Sequence, residues 1–270
     1  MHLLSANLEY TTAWTRVDEV AALIGDAHAE VVAIQECPEE PALAALADRL
    51  GFTYRMGPSP SGLHTALLWA PHVEEVHGGD KYEDKGVTWH GFTSSTLRGP
   101  RWPCPITFIC AHLVPHDVDA AVGEARFLQT RVHRQGWPGV LLGDVNHGPL
   151  AGPEPDWDQV PEHNRASRTI LDQDQPDKVR LDRRVGLALT RGKMIDVAAH
   201  LADLTGREEL LAYTGVHGLL RTDQVWVTRQ LAGAIAGYAR LDHRGVSDHH
   251  PIAVDLAIED LAPIPQVAFH

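Results

Sequence analysis

Carboxylate, amide and imidazole side chains stand at the ends of several short apolar runs in this sequence. They are Asn7, Glu36, His112, Asp144, Asn146, Asp223, Asp248 and His249. The apolar runs predict β-strands, and strand ends with their loops are where a rigid sheet best holds functional groups. An ordinary strand would end in turn residues instead. The placement therefore predicts that these side chains converge on one site.

Side chains of these three types together suit the hydrolysis of a phosphate ester. That reaction needs a hard cation for the phosphate oxygens, a base for the attacking water, and donors for the developing charge. Carboxylate oxygens suit Mg²⁺ or Mn²⁺, and Glu36 and Asp248 are the predicted metal ligands. Imidazolium and amide groups would then bind the non-bridging phosphate oxygens. We therefore expect a phosphate-ester substrate and Mg²⁺ or Mn²⁺ as cofactor.

Each of these residues also has a simpler explanation when it is taken alone. Asp144 could cap a turn through its side chain. His112 could be a hydrogen-bonded histidine of the core, and Asp223 could form an ordinary ion pair with Arg221 or Arg240. The functional interpretation depends on their occurring together.

The elements that must position these side chains are short strands that alternate with helices. Strands are predicted over 3–7, 31–35, 66–69, 105–111, 140–142, 224–228 and 252–256. Helices are predicted over 15–29, 41–50, 124–134 and 192–204, and Gly51 suits a left-handed cap on the second. Such an alternation indicates a layered α/β fold.

The bulk composition favours one reduced domain. The chain has 270 residues and no Gly/Ser-rich or Pro-rich linker, which predicts a single domain over residues 1–270. Its three cysteines show no CxxC spacing, so neither a disulfide framework nor a thiolate zinc site is expected. The sequence shows no signal-peptide pattern and no apolar stretch near the roughly 20 residues that span a bilayer. We expect a cytoplasmic location and no membrane partner.

The net charge of −13 bears on the choice of partner. Non-specific binders of duplex nucleic acid usually carry a basic footprint, which this chain lacks as a whole. The balance favours a small phosphate-ester substrate over nucleic acid, and a local basic groove is the alternative. The sequence offers no basis for inferring a protein partner.

One segment, residues 157–184, is charged and only sporadically apolar, which predicts an insertion with some helix. Loops longer than about 12–15 residues are usually functional or disordered. Because this one follows Asn146 and ends in a basic cluster, we expect it to fold over the rim of the site. Arg183 and Arg184 would then bind an anionic group of the substrate, whereas the simpler alternative is a solvated surface.

The motifs resemble, in their order along the chain, those of the endonuclease/exonuclease/phosphatase superfamily, also called deoxyribonuclease I-like. The matching pieces are SANL at 5–8, IQE at 34–36, AHL at 111–113, LLGDVN at 141–146, TDQVWV at 222–227 and SDHHP at 247–251. GEARFLQ at 123–129 is similar to an Arg-x-x-Gln helix that often follows the family's His-Leu strand, which makes Arg126 a substrate-binding candidate. The resemblance spans Leu3 to Leu256.

The resemblance implies a four-layered α/β sandwich, with two mixed sheets packed face to face, helices outside, and a site at one edge. It implies that Glu36 and Asp248 bind the metal. Asn7 would lie near the metal and the substrate.

For the catalytic residues, the resemblance implies that Asp144 orients or deprotonates water. Asn146 and His112 would contact the phosphate. His249 would bind the scissile phosphate and would be held in place by Asp223.

This chain departs from the family pattern in two places. Val145 replaces the usual aromatic residue of the GDxN motif, and Ser61 and His64 stand near the position of an orienting glutamate.

Two alternatives to a small-molecule phosphoesterase stay open: a DNA or RNA nuclease that uses the same site, and a non-catalytic phosphate-binding or scaffold protein.

Overall fold

The computed structural model describes residues 1–171, 175, 178–262 and 264–267. The strands are β1 (His2–Asn7), β2 (Val31–Cys37), β3 (Thr53–Gly57), β4 (His64–Trp69), β5 (Glu74–Gly78), β6 (Phe92–Arg98), β7 (Ile106–His112), β8 (Gly139–Asp144), β9 (Thr169–Leu171), β10 (Val179–Leu181), β11 (Met194–Asp196), β12 (Asp223–Thr228), β13 (Ile235–Arg240) and β14 (Ile252–Leu256). The α-helices are α1 (Val17–Asp26), α2 (Glu40–Leu50), α3 (Val118–Val132), α4 (Glu162–Arg168), α5 (Arg184–Arg191) and α6 (Val197–Thr205). Among the described residues, none of the helices has the length and apolar character needed to cross a membrane.

Two six-stranded sheets pack face to face. The strand order is β13-β14-β1-β2-β4-β3 in the first sheet and β11-β12-β8-β7-β6-β5 in the second. Both sheets are mixed, because β1 with β2 and β7 with β8 are parallel pairs beside antiparallel neighbours. Helices α1 and α2 cover the outer face of the first sheet, and α3 and α5 cover that of the second. The four-layered α/β sandwich is thus confirmed.

The central strands are continuously apolar because both of their faces are buried. In β2, Val31 and Ala33 face the opposite sheet, whereas Val32 and Ile34 face the helices. Successive side chains of a strand point to opposite faces, so a strand between two apolar layers needs an apolar residue at every position. These rigid strands end in the polar residues of the predicted site.

The structure differs from the sequence prediction between residues 157 and 205. The single helix predicted over 192–204 is wrong: α5 ends at Arg191, β11 follows, and α6 begins at Val197. Lys193 has a left-handed backbone with φ of +64°, which interrupts the helical path. The charged segment contains α4 and the β9–β10 hairpin, and its residues 172–174, 176 and 177 lie outside the described ones.

Gly143 sets how closely β8 approaches β7 just before Asp144. Its φ is +146°, and an ideal Cβ there would lie 1.9 Å from the carbonyl oxygen of Ala111. We expect Gly143→Ala to lower the free energy of unfolding by about 1–3 kcal/mol, as forced overpacking typically does. Denaturant titration measures this change. Gly25→Ala is the control, because a Cβ at Gly25 meets no atom within 4 Å; equal stability of the two variants would contradict the prediction.

Candidate active site

Three of the predicted site residues lie in one row across the second sheet. The parallel β7–β8 pair places His112 opposite Asp144, and the antiparallel β8–β12 pair places Asp144 opposite Asp223. All three side chains are buried. Because burying a charged group is costly unless it is paired and hydrogen-bonded, the partners of this row define the site.

Asn7 in β1 and Glu36 in β2 place polar side chains of the first sheet beside this row. The Nδ2 of Asn7 donates to Oε1 of Glu36 and to Oδ2 of Asp144, each at 3.1 Å. The Oε2 of Glu36 accepts the Tyr10 N–H at 3.0 Å. Glu36 has a φ of +62°, which is uncommon for a residue with a side chain, and it lies where the pairing of β2 with β4 shifts register between Ile34 and Cys37. One amide therefore links the carboxylates of the two sheets.

His249 is held on both its ring and its backbone. Its Nδ1 lies 2.8 Å from Oδ2 of Asp223, and its Nε2 lies 3.9 Å from Oδ2 of Asp144. Its backbone N–H donates to Oγ of Ser247 at 3.0 Å, and that hydroxyl donates to the carbonyl of Asn7 at 2.7 Å. The loop that carries His249 is thus fastened to the end of β1.

These contacts set the charges of the two central groups. Burial alone would lower the pKa of His249, but the charges of Asp223, Asp144 and Asp248 raise it to about 10. Burial alone would raise the pKa of Asp144, but His249 and His112 hold it below its usual value. At neutral pH, a cationic imidazole therefore lies beside an ionised carboxylate.

A second group of carboxylates surrounds Asp248. Burial raises the pKa of Asp248, and although His249 lowers it, the negative charges of Glu36 and Glu9 add to the rise. Oxygen donors that repel one another yet stay together are the set that a hard divalent cation prefers. Glu36 and Asp248 are therefore candidate carboxylate ligands for a hard divalent cation.

Asp144, Asp223 and His249 form another group that could hold a cation, since one ligand atom from each lies within 4.8 Å of the others. Their hydrogen bonds favour a different use. Asp223 occupies Nδ1 of His249, and a pKa of about 10 keeps a proton on Nε2 at neutral pH. A protonated imidazole nitrogen has no lone pair for a metal. The carboxylates around Asp248 are the better candidate cation site.

Asn146 lies beside this centre with a left-handed backbone, φ +61°. Its N–H donates to Oδ1 of Asp144 at 2.8 Å, and its Nδ2 donates to the carbonyl of Leu113 at 2.9 Å. Arg168 of α4 donates to both oxygens of Asn146. The sequence analysis missed Arg168, because nothing distinguishes it from the other charged residues of its segment.

A second missed residue is His90, which stacks on His112 with ring centroids 4.0 Å apart and planes 12° from parallel. Its Nδ1 lies 2.7 Å from Oγ of Ser61. Burial and the neighbouring His112 lower the pKa of His90 to about 3, so this ring is neutral. Ser61 thus reaches the site through His90, whereas Nδ1 of His64 accepts the Ser59 N–H.

The structure does not bring the three remaining substrate-binding candidates into this cluster. Arg126 is exposed on α3. Arg183 donates to backbone carbonyls of residues 149 and 152, both at 2.9 Å. Arg184 forms ion pairs with two aspartates. Arg168, which also belongs to the charged segment, does reach the site through its bonds to Asn146.

Comparison with known proteins agrees with the fold. No protein-family model and no curated protein matches the sequence. Among solved structures, an AP endonuclease from Archaeoglobus fulgidus is similar with a TM-score of 0.66 and 17% identity, over 95% of this chain and 99% of that chain. An endonuclease/exonuclease/phosphatase family protein from Bacteroides thetaiotaomicron matches with a TM-score of 0.64 and 15% identity, over 95% and 94%. A mannosyl-6-phosphatase from the same organism matches with a TM-score of 0.62 and 14% identity, over 95% and 99%. The chain therefore has the fold of the endonuclease/exonuclease/phosphatase proteins.

Proposed function

We propose that this protein hydrolyses phosphate esters with the help of Mg²⁺ or Mn²⁺, by direct attack of water on phosphorus. The observation that carries the proposal is the cationic His249, held by Asp223 next to the ionised Asp144. Such a pair can bind a phosphate oxygen and take a proton from water within one small volume. The neighbouring carboxylates supply a cation site at the same strand ends.

Each residue of the site has its own role in the proposed reaction. His249 donates from Nε2 to a non-bridging phosphate oxygen, because Asp223 accepts from its Nδ1. Asp144 accepts hydrogen bonds on both oxygens from Asn7 and Asn146, which leaves lone pairs to orient a water and receive its proton. A divalent cation held by Glu36 and Asp248 would neutralise charge on the phosphate.

His112 and Asn146 complete the proposed phosphate site. The Nε2 of His112 lies 3.7 Å from Oδ2 of Asp144, so one bound group lying beside the pair could contact both atoms. Asn146 uses Nδ2 to hold the Leu113 carbonyl and keeps a second amide hydrogen for a phosphate oxygen. No covalent enzyme intermediate is needed, because the acceptor of the phosphoryl group is water.

The substrate we favour is a small phosphodiester, phosphomonoester or nucleotide, because the net charge of −13 opposes nucleic acid. A nuclease is the second candidate, supported by the likeness in fold to an AP endonuclease. A scaffold role is disfavoured, because it gives no physical reason to bury Asp144 and Asp223 beside a cationic imidazole. We also propose a cytoplasmic location, on the sequence alone.

A substrate panel tests the proposal. It comprises p-nitrophenyl phosphate, bis-p-nitrophenyl phosphate, nucleotides, inositol phosphates, RNA and plasmid DNA, each with Mg²⁺ and with Mn²⁺. Release of phosphate or alcohol from any member supports phosphoester hydrolysis, and a preference for DNA or RNA would select the nuclease. A folded protein that is inactive on all of them would overturn the proposal.

Removal of the cation gives a sharper test. We expect activity to vanish in EDTA and to return with Mg²⁺ or Mn²⁺. Glu36→Gln should raise the cation concentration needed for half-maximal rate by roughly tenfold or more, because an amide oxygen is a weaker ligand than a carboxylate. Glu74→Gln, on the exposed strand β5, is the control. Full turnover after verified removal of metal would contradict the cation site.

A further inference from the structure

A cleft of about 480 Å³ opens beside Asn146 and His249. One wall is α4 with the residue before it, and the other is the loop 215–218. This loop is fixed to the segment that carries Asp248 and His249, because Val216 donates its N–H to the carbonyl of Asp248 at 2.9 Å. The cleft therefore ends at the groups that would bind the phosphate.

The two walls come close to each other at Asn164 and Gly218. An ideal Cβ on Gly218 would lie 3.8 Å from Nδ2 of Asn164, an ordinary van der Waals contact. A small added side chain is therefore tolerated there, and a longer one would project between the walls. The volume of the cleft lies within the range of about 300–1,000 Å³ that is typical of small-molecule sites.

Arg168 joins α4 to the catalytic residues. Its side chain is buried, and its Nε donates to the carbonyl oxygen of Asn146 at 2.7 Å while its Nη2 donates to Oδ1 of Asn146 at 3.2 Å. Its Nη1 donates to Oδ1 of Asn164 within α4. A planar guanidinium can hold three acceptors at fixed angles, which an ammonium cannot.

These bonds fix the orientation of the Asn146 amide. Arg168 engages Oδ1, and the Leu113 carbonyl engages one hydrogen of Nδ2. A flip of the amide would place an NH₂ group against the guanidinium and an oxygen against the carbonyl. The second hydrogen of Nδ2 is therefore held in one direction, ready to donate to an anionic oxygen.

We propose that α4 and loop 215–218 bind the alcohol portion of a small phosphate ester, no larger than a nucleoside, while Arg168 is a positioning residue that directs Asn146 at the phosphate. This inference rests on the proposed phosphoester hydrolysis and deepens it. Away from Asn146, Arg168, Asp248 and His249, the cleft is lined by hydrogen-bonding groups and apolar carbons: His163, Asn164, His217 and Thr222, with Pro161, Val216 and Leu220. Such a lining suits a hydroxyl-bearing alcohol, and the cleft is too small for a duplex.

The positioning role is tested by a double-mutant cycle between Arg168→Met and Asn146→Gly, in which glycine keeps the left-handed backbone free of strain. We expect Arg168→Met to lower kcat by about 10–100-fold, as loss of a supporting hydrogen bond typically does. In the Asn146→Gly background, the same change should cost much less. Arg168→Lys should restore little, because it cannot bridge both oxygens.

Arg165→Ala is the matched control on α4, since Arg165 donates to the carbonyl of Val160 and not to Asn146. Near-wild-type kcat is expected for it. An equal loss of kcat from Arg168→Met in both backgrounds, or no loss at all, would refute the positioning role. If thermal unfolding showed that Arg168→Met only lowers stability while kcat of the folded fraction is intact, the role would be structural.

The substrate class is tested with Gly218→Leu. We expect this variant to raise KM for a nucleoside monophosphate strongly while changing kcat/KM for p-nitrophenyl phosphate much less. Wild-type protein should show higher kcat/KM on the monophosphate than on a single-stranded oligonucleotide. A preference for the oligonucleotide, or unchanged kinetics in Gly218→Leu, would overturn the assignment of the cleft.

Failure of the proposed function is distinguishable from failure of this inference. A wild-type protein without activity on the whole panel would refute phosphoester hydrolysis itself. The positioning role would then be decided by NMR of the Asn146 side-chain amide. We expect its protons to exchange slowly with solvent in the wild type and rapidly in Arg168→Met. Equal exchange in the two proteins would refute the role.

Discussion

His249→Ala should lower kcat by about 10²–10⁴-fold, the range for loss of a positioned acid or base. The imidazole is charged, lies between two buried aspartates, and has only Nε2 free to reach a substrate. Steady-state kinetics on the most active substrate of the panel measures the loss. His72→Ala, which removes an exposed histidine paired with Glu30, is the control and should leave kcat unchanged. A His249→Ala variant with a near-normal rate would place the catalytic centre elsewhere.

The pH dependence gives this first prediction a second readout. Since the pKa of His249 is raised to about 10, its charge is present at neutral pH and is lost as the pH rises through that value. Activity should therefore fall on the alkaline side. Asp223→Asn removes the largest favourable charge, so it should move this alkaline limb to lower pH. A limb at the same pH in both proteins would mean that another group titrates.

Asp144→Asn should cost about 10²–10⁴-fold in kcat, because an amide cannot take a proton from water. The substitution also replaces one of the two oxygens that accept from Asn7 and Asn146 with an NH₂ group, so one of these contacts is lost. Asp203→Asn, on the exposed side of α6, controls for charge alone.

Two measurements separate the effects of Asp144→Asn. Circular dichroism and thermal unfolding report whether the fold survives the lost hydrogen bond. If the fold survives and kcat is close to that of wild type, Asp144 is not the residue that handles water.

The polar residues at the strand ends were predictable because the apolar runs along the chain mark where the buried strands stop. An apolar run that ends in a polar residue fixes where a buried strand stops, and parallel or antiparallel pairing then brings such ends together. His112, Asp144 and Asp223 form a row for this reason. The sandwich itself rested on the motif resemblance, because short apolar runs do not reveal which strands pair.

Elements without a strong apolar pattern were missed. β6 reads FTSSTLR, yet its serine and threonine side chains are buried among other hydroxyls, such as the 3.0 Å pair of Thr96 and Thr107. β5 is exposed throughout and carries no pattern of its own. The break before α6 did have a signal, since Asp196 caps that helix by accepting the N–H of Ala199 at 3.3 Å.

Arg168 and His90 could not be found from sequence for a different reason. Arg168 is the last residue of the short helix α4 and His90 lies in a loop, and the position of both segments depends on what they pack against. A lone arginine among charged neighbours, or a lone histidine beside a tryptophan, reads equally well as a solvated residue. Only the contacts with Asn146 and His112 distinguish them.

The first and last strands that the structure describes are neighbours, so residues far apart in the sequence must come together before the candidate site can form. β1 lies between β2 and β14, and Met1 and Leu256 exchange backbone hydrogen bonds at 3.0 Å. Asn7 is therefore synthesised well before Ser247 and His249, which complete its surroundings. The candidate site stays incomplete until β14 pairs with β1. Two fragments divided between β13 and β14 should therefore each lack the proposed activity until they pair.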